Sequence, residues 1–107
     1  MATNQIIANA VNSSVDTPET FFTAGLNGVV IESFTATNNS SVNASYKAYI
    51  VASSGTQQPQ IPFKVIVWGE NDLGIGIVNQ IIPPGGALRL ESSALASIYF
   101  TVTGREI

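Results

Sequence analysis

Ser97-Ile98-Tyr99-Phe100-Thr101-Val102-Thr103 alternates without a break: Ile98, Phe100 and Val102 fall on one side of an extended chain, Tyr99, Thr101 and Thr103 on the other. A period of two in aromatic and β-branched residues predicts a strand with one face in a core. Ahead of it, Ser92 to Ala96 predicts a brief turn and Ala87-Leu88-Arg89-Leu90 a short strand. Pro83-Pro84-Gly85-Gly86 predicts a hard turn, since Pro presets φ and Gly supplies the positive-φ position. Ile75 to Ile82 is apolar apart from Gly76, Asn79 and Gln80, and Gly74 and Gly76 point to a bulge or a close backbone approach.

The same period recurs upstream. Phe63 to Trp68 predicts a strand with Phe63, Val65 and Val67 on one face and Lys64, Ile66 and Trp68 on the other. Ser53 to Pro62 before it is expected to be a loop, because Pro59 and Pro62 withhold ladder donors. Tyr46 to Ala52 alternates cleanly, as does Val29 to Thr37, where Glu32, Phe34 and Ala36 are set against Ile31, Ser33, Thr35 and Thr37. Asn27-Gly28 signals a hairpin that would make Phe21-Phe22-Thr23-Ala24 the partner of that strand. No stretch sustains a period of 3.6. The expected fold is all-β: a single antiparallel β-sandwich or jelly-roll-like barrel of about seven strands.

At 107 residues the chain is the size of one domain. Residues 1–20 differ in texture, with Ile6, Ile7 and Val11 set among Asn and Ser, and are expected to form an N-terminal arm or an edge strand; residues 21–107 form the sandwich. Apolar residues make up 45% and charged residues only 10%, with net charge −3, less surface charge than a small monomer needs for solubility. Part of the apolar surface is therefore expected to be covered by copies of the same chain.

Histidine and cysteine are absent, which removes the usual zinc and copper ligands, the disulfide and the activated thiol. Lys47, Lys64, Arg89 and Arg105 are the whole basic complement and are scattered, so neither nucleic acid nor an anionic membrane is an expected partner. The apolar stretch from Ile6 to Val11 is short, broken by Asn9 and lacks a basic flank, so no signal peptide is expected. For calcium the candidates are Asp16 with Glu19, or Glu70, Asn71 and Asp72, neither in a calcium-loop pattern. Glu32, an acid inside a strand, is expected to face solvent or pair with Lys47 or Lys64. No Ser-x-x-Lys or Gly-x-Ser-x-Gly arrangement occurs, so the expectation is no enzyme, no cofactor and no metal. Trp68 with Tyr46, Tyr49 and Tyr99 would serve either as a sugar-stacking platform or as core and interface residues.

Thr35-Ala36-Thr37-Asn38-Asn39-Ser40-Ser41, Ile82-Pro83-Pro84-Gly85-Gly86-Ala87-Leu88-Arg89-Leu90 and the closing Thr103-Gly104-Arg105-Glu106-Ile107 carry a resemblance. Over about residues 29–107 the chain resembles the small cysteine-free β-sandwich structural proteins of tailed bacteriophages, of the head decoration or cement type. That resemblance implies a virion protein on the capsid surface, made in the bacterial host cytoplasm, that binds and stabilises the major-capsid lattice as a homotrimer. Its partners would be the major capsid protein and itself. Ile6, Ile7 and Val11 are the expected partner-binding residues, through an N-terminal segment that folds onto a neighbour. The alternative is a head-fibre or tail-associated receptor- or carbohydrate-binding module using Trp68.

Overall fold

The computed structural model describes residues 4–107, with side chains from Ile7 onward. The described residues form nine strands: β1 (Asn4–Val11), β2 (Glu19–Thr23), β3 (Val29–Asn38), β4 (Ala44–Val51), β5 (Gln57–Ile66), β6 (Asn71–Asp72), β7 (Ile81–Ile82), β8 (Ala87–Ser92) and β9 (Ile98–Glu106). One sheet runs β1-β9-β3, with β6 and β7 both on the far side of β3; the other runs β2-β8-β4-β5. All pairings are antiparallel. The segments β6 and β7 are two ends of one interrupted strand, meeting β3 at Ala36–Thr37 and at Val29–Val30. Counted so, two four-stranded sheets exchange the chain at almost every connection, which is the strand order of a jelly roll.

The inner faces of both sheets make the core. Ile98, Phe100 and Val102 of β9, Phe34 and Ala36 of β3, Tyr46, Ala48 and Ile50 of β4, and Leu88 and Leu90 of β8 are buried. Phe100 lies edge-on to Phe21 (5.6 Å) and to Tyr46 (5.6 Å), and Tyr46 stacks on Phe34 at 5.7 Å. Such pairs add about 0.5–1.5 kcal/mol each beyond their buried area. Residues 73–80 close one side: Ile77 is buried, and Gly74, at φ 67°, sits against the Phe34 ring where a Cβ would overlap it.

The structure corrects four expectations. Phe21–Thr23 does not pair with β3. Ala24 N–H donates to the Gly86 carbonyl (2.7 Å) and Gly85 N–H to that of Gly25 (3.0 Å), so the Asn27-Gly28 turn carries the chain from one sheet to the other. A local turn signal specifies the bend and not the sheet that receives the chain. The strand β5 begins at Gln57, inside the expected loop; it pairs only with β4, and an edge strand tolerates Pro59 and Pro62. The expected faces of β3 fail at Glu32, where the register with β9 slips between Ile31 and Ser33. That bulge turns both Ile31 and Phe34 inward and leaves Ser33 exposed. Lastly, Glu32 pairs with Arg105 (2.6 Å), not Lys47 or Lys64, because β9 and not a strand of the other sheet lies beside it.

Candidate interaction surface

The strand β5 presents its two faces very differently. Ile61 and Ile66 point into the core, while Phe63 and Val65, on the opposite face, lie open to solvent. The run continues past the strand, so that Phe63 (61%), Val65 (48%), Val67 (44%), Trp68 (62%) and, from the β3–β4 loop, Val42 (60%) are all exposed. Large apolar side chains exposed on an edge strand and in the loops at its end mark a surface suited to being covered.

Asn38 holds the strip in place. It is fully buried at the end of β3, and its Nδ2 donates to the carbonyls of Val42 (2.8 Å) and Ile66 (2.9 Å). Its Oδ1 accepts from the Ser40 N–H (3.0 Å) and Oγ (2.7 Å). One amide thus ties the β3–β4 loop to the end of β5 with every polar atom satisfied. The main chain adds to it: Asn38 N–H donates to the Glu70 carbonyl (2.9 Å), and Gly69 N–H to that of Asn38 (3.0 Å). Trp68 N–H donates to Asn43 Oδ1 (3.2 Å). Trp68 is therefore fixed in backbone and free in side chain.

Most charged side chains spend their hydrogen-bonding capacity inside the fold. The Tyr46 hydroxyl, buried, donates to Asp72 Oδ2 at 2.5 Å, and burial followed by that carboxylate holds the phenol above its usual range. Asp72 also accepts the Gly74 N–H (3.1 Å) and faces Lys64 Nζ at 3.6 Å, which binds β6 to both β4 and β5. Glu91, nearly buried, accepts from the Tyr49 hydroxyl (3.1 Å) and meets Lys47 at 3.5 Å; burial and then Glu91 push the Tyr49 phenol up. Arg89 donates to Thr20 Oγ1 (3.2 Å) and Gln57 Oε1 (3.1 Å).

Glu19 closes the β1–β2 connection. Its carboxylate accepts from Ser13 Oγ (2.7 Å), from the Ser13 N–H (3.0 Å), from the Ser14 N–H (2.9 Å) and from Asn12 Nδ2 (3.2 Å). The Ser13 hydroxyl is the main influence holding this carboxyl below its usual range. Of the two expected calcium groupings, one thus has its Glu19 turned onto the loop and the other its Asp72 turned onto Tyr46; no cluster of three His, Cys, Asp or Glu side chains that could hold a metal occurs among the described residues.

The residues expected from sequence to act together are dispersed. Tyr46 is in the core, Tyr49 is half-buried beside Glu91, and Tyr99 lies on the other sheet with its hydroxyl donating to Asn9 Oδ1 (2.5 Å). They form no platform with Trp68, which is exposed at the loop end. In the N-terminal segment, β1 is an edge strand paired with β9 from Asn4 to Val11. Ile7 points into the core (4% exposed), so its side chain is used within the fold and not offered to a neighbour. Val11 is half-buried at the end of β1, and the Ile6 side chain lies outside the described residues. The Phe63–Val67 face was present in the alternation of the sequence, but periodicity does not say which of two apolar faces meets the core. Beside this face lies a shallow hollow of about 80 Å³ lined by Phe63, Asp16, Lys47, Glu91 and three serines among others, with room for little more than a single side chain.

Comparisons of the chain with models of protein families, with curated proteins and with solved structures found no match.

Proposed function

We propose that this chain is a structural protein that acts by docking onto other proteins, as a capsid decoration or cement protein of a bacteriophage virion. The observation that carries this reading is the exposed strip of Phe63, Val65, Val67, Trp68 and Val42 on a two-sheet sandwich. A stapling protein needs a body that does not deform and a surface whose burial is favourable. Two sheets packed face to face, an aromatic core and internally paired charges supply the first. Apolar side chains held in place by hydrogen-bonded backbone supply the second, since little ordering is left to do on contact. In this role the protein sits on the outside of the head as a homotrimer and bridges neighbouring major-capsid subunits.

The test is co-sedimentation with expanded capsids assembled from a bacteriophage major capsid protein, that of the same virion under this proposal, together with mass determination by light scattering. Binding at stoichiometric levels and a trimer mass are expected. A strictly monomeric protein that leaves the capsids unbound removes the reading.

A second reading rests on Trp68 alone, whose exposed indole is a surface on which a sugar ring stacks. In that case the chain is a head-fibre or tail-associated carbohydrate-binding module. A glycan screen in which Trp68→Ala abolishes binding would favour it; binding that survives the substitution points away from Trp68.

A further inference from the structure

We propose that the strip formed by Phe63, Val65, Val67, Trp68 and Val42 is the surface through which copies of this chain meet one another. The inference rests on the proposed structural role and names the self-association surface within it.

Area comes first. At the exposures seen, the five side chains offer roughly 500 Å² of apolar surface, taking about 150–250 Å² for a whole aromatic side chain. A standard protein interface covers about 800 Å² on each partner, a little over half of it apolar, which is about 450–500 Å². Covered completely, the five residues would supply about that much.

Charge decides the occupant. When identical patches face each other across a two-fold axis, a charge near that axis meets its own copy. None of the five residues carries a charge, and the one charged residue of β5, Lys64, is directed to Asp72 at the side of the sandwich. Beyond Phe63 the rim holds both signs, with Lys47 paired to Glu91 and Asp16 nearby. Two or three copies can thus bring their strips together about a common axis with an apolar centre and a mixed-charge rim. Like-charge contact, the usual obstacle to self-pairing, is confined to the rim, where Glu70 follows Trp68 in the turn and Asp16 and Lys47 lie beyond Phe63.

The structure also prepares the strip for burial. Asn38 fixes both loop and strand, and Trp68 N–H is tethered to Asn43, so association freezes side-chain rotamers but not backbone.

The experiment is light scattering across a concentration series on the full chain and on three variants: Phe63→Ser with Val65→Thr, Val65→Lys, and Leu26→Ser. Leu26 is an equally apolar and more exposed residue at the opposite end of the sandwich and serves as the control. All substituted side chains are on the surface, and circular dichroism with thermal melts verifies folding of each. The expected result is a wild-type multimer, weakened about tenfold or more in self-affinity by either strip variant and unchanged by Leu26→Ser. A monomeric wild type, or a multimer that both strip variants leave intact, overturns the inference. So does a monomer whose strip variants lose capsid binding, because the strip is then a capsid contact. Capsid co-sedimentation of the same variants keeps the two readings apart. A strip-dependent multimer that ignores capsids overturns only the capsid role. A capsid-binding monomer overturns only self-association.

Discussion

Tyr46 concentrates more of the fold's chemistry than any other residue. Its ring stacks on Phe34 and meets the edge of Phe100, and its hydroxyl reaches across the sandwich to Asp72. Tyr46→Phe keeps the ring and leaves Asp72 with only the Gly74 N–H and the partly exposed Lys64. A hydrogen bond to a charged group contributes about 1.5–3 kcal/mol, so urea denaturation should show a loss of about 2 kcal/mol. The same site sets an alkaline limit. Because the folded phenol is held up, the unfolded chain ionises first, and stability falls as pH climbs past about 10. In Tyr46→Phe part of that fall should disappear; an unchanged alkaline slope would mean that Tyr49 and other groups account for all of it.

Glu19 sets the opposite limit. Its carboxyl is held down in the folded protein, so its contribution is present above the unfolded carboxylate value near 4.3 and fades as pH drops through the lower folded value. Glu19→Gln should melt at lower temperature than wild type at neutral pH. The gap between the two melting curves should close as pH falls toward 2. A constant gap would mean that the carboxylate's charge is not what holds Ser13 and Ser14. Neither arrangement was legible in the sequence. Asp72 lies in a Gly-Glu-Asn-Asp stretch that reads as an ordinary turn, and its partner is separated from it by a whole hairpin. Glu19 lies beside Pro18, where the residues predict a turn but not which side chain accepts its donors.

At the scale of the strand, what the sequence reveals depends on whether the pleat is regular. The strands β9 and β4 alternate over all but their last residue, and their buried faces follow directly from the pattern. In β3 the alternation slips at Glu32, and β4 and β5 slip twice against each other, so a reading with a fixed period of two misplaces everything beyond the slip. Bulges leave little trace in composition; Gly104 is one of the few signs. It pairs with Gln5 on one side and Ile31 on the other, next to both slips on β9. A Cβ there would come within 2.6 Å of the Val30 carbonyl oxygen and also overlap Ile7. A backbone oxygen cannot rotate away. Gly104→Ala should therefore cost about 2–3 kcal/mol by overpacking, more than the 0.5–1 kcal/mol that glycine in a strand ordinarily forfeits to alanine would return. Equal or greater stability on denaturation would show that the two bulges can shift together. By contrast, the Glu32–Arg105 pair beside them is partly exposed, and its loss should be worth less than about 1 kcal/mol.

At the scale of the molecule, the first strand and the last lie side by side. The strand β1 covers the outer edge of β9 from Asn4–Arg105 to Val11–Tyr99. It places Ile7 and Ala8 in the core. Asn12, just past it, donates to the Leu90 carbonyl at 2.9 Å and so joins the first connection to the opposite sheet. The polar, turn-rich composition of residues 1–20 admits either an arm or a strand, and only the long-range pairing with β9 separates the two. Closing a ladder between segments some ninety residues apart carries a high loop-closure entropy, which is repaid only when the β9–β3 pairing already exists. The strand β1 should therefore add late in folding and yet be required for the final stability. Removing residues 1–11 strips a buried isoleucine and alanine from the core and bares the edge of β9. The loss, about 5 kcal/mol or more, is comparable with the whole stability of a domain this size. The truncated chain should lose its cooperative melt and aggregate through β9. If it instead melts within a degree or two of the full chain, the segment is an arm that merely rests on the sheet, and its apolar residues become available to a neighbouring protein after all.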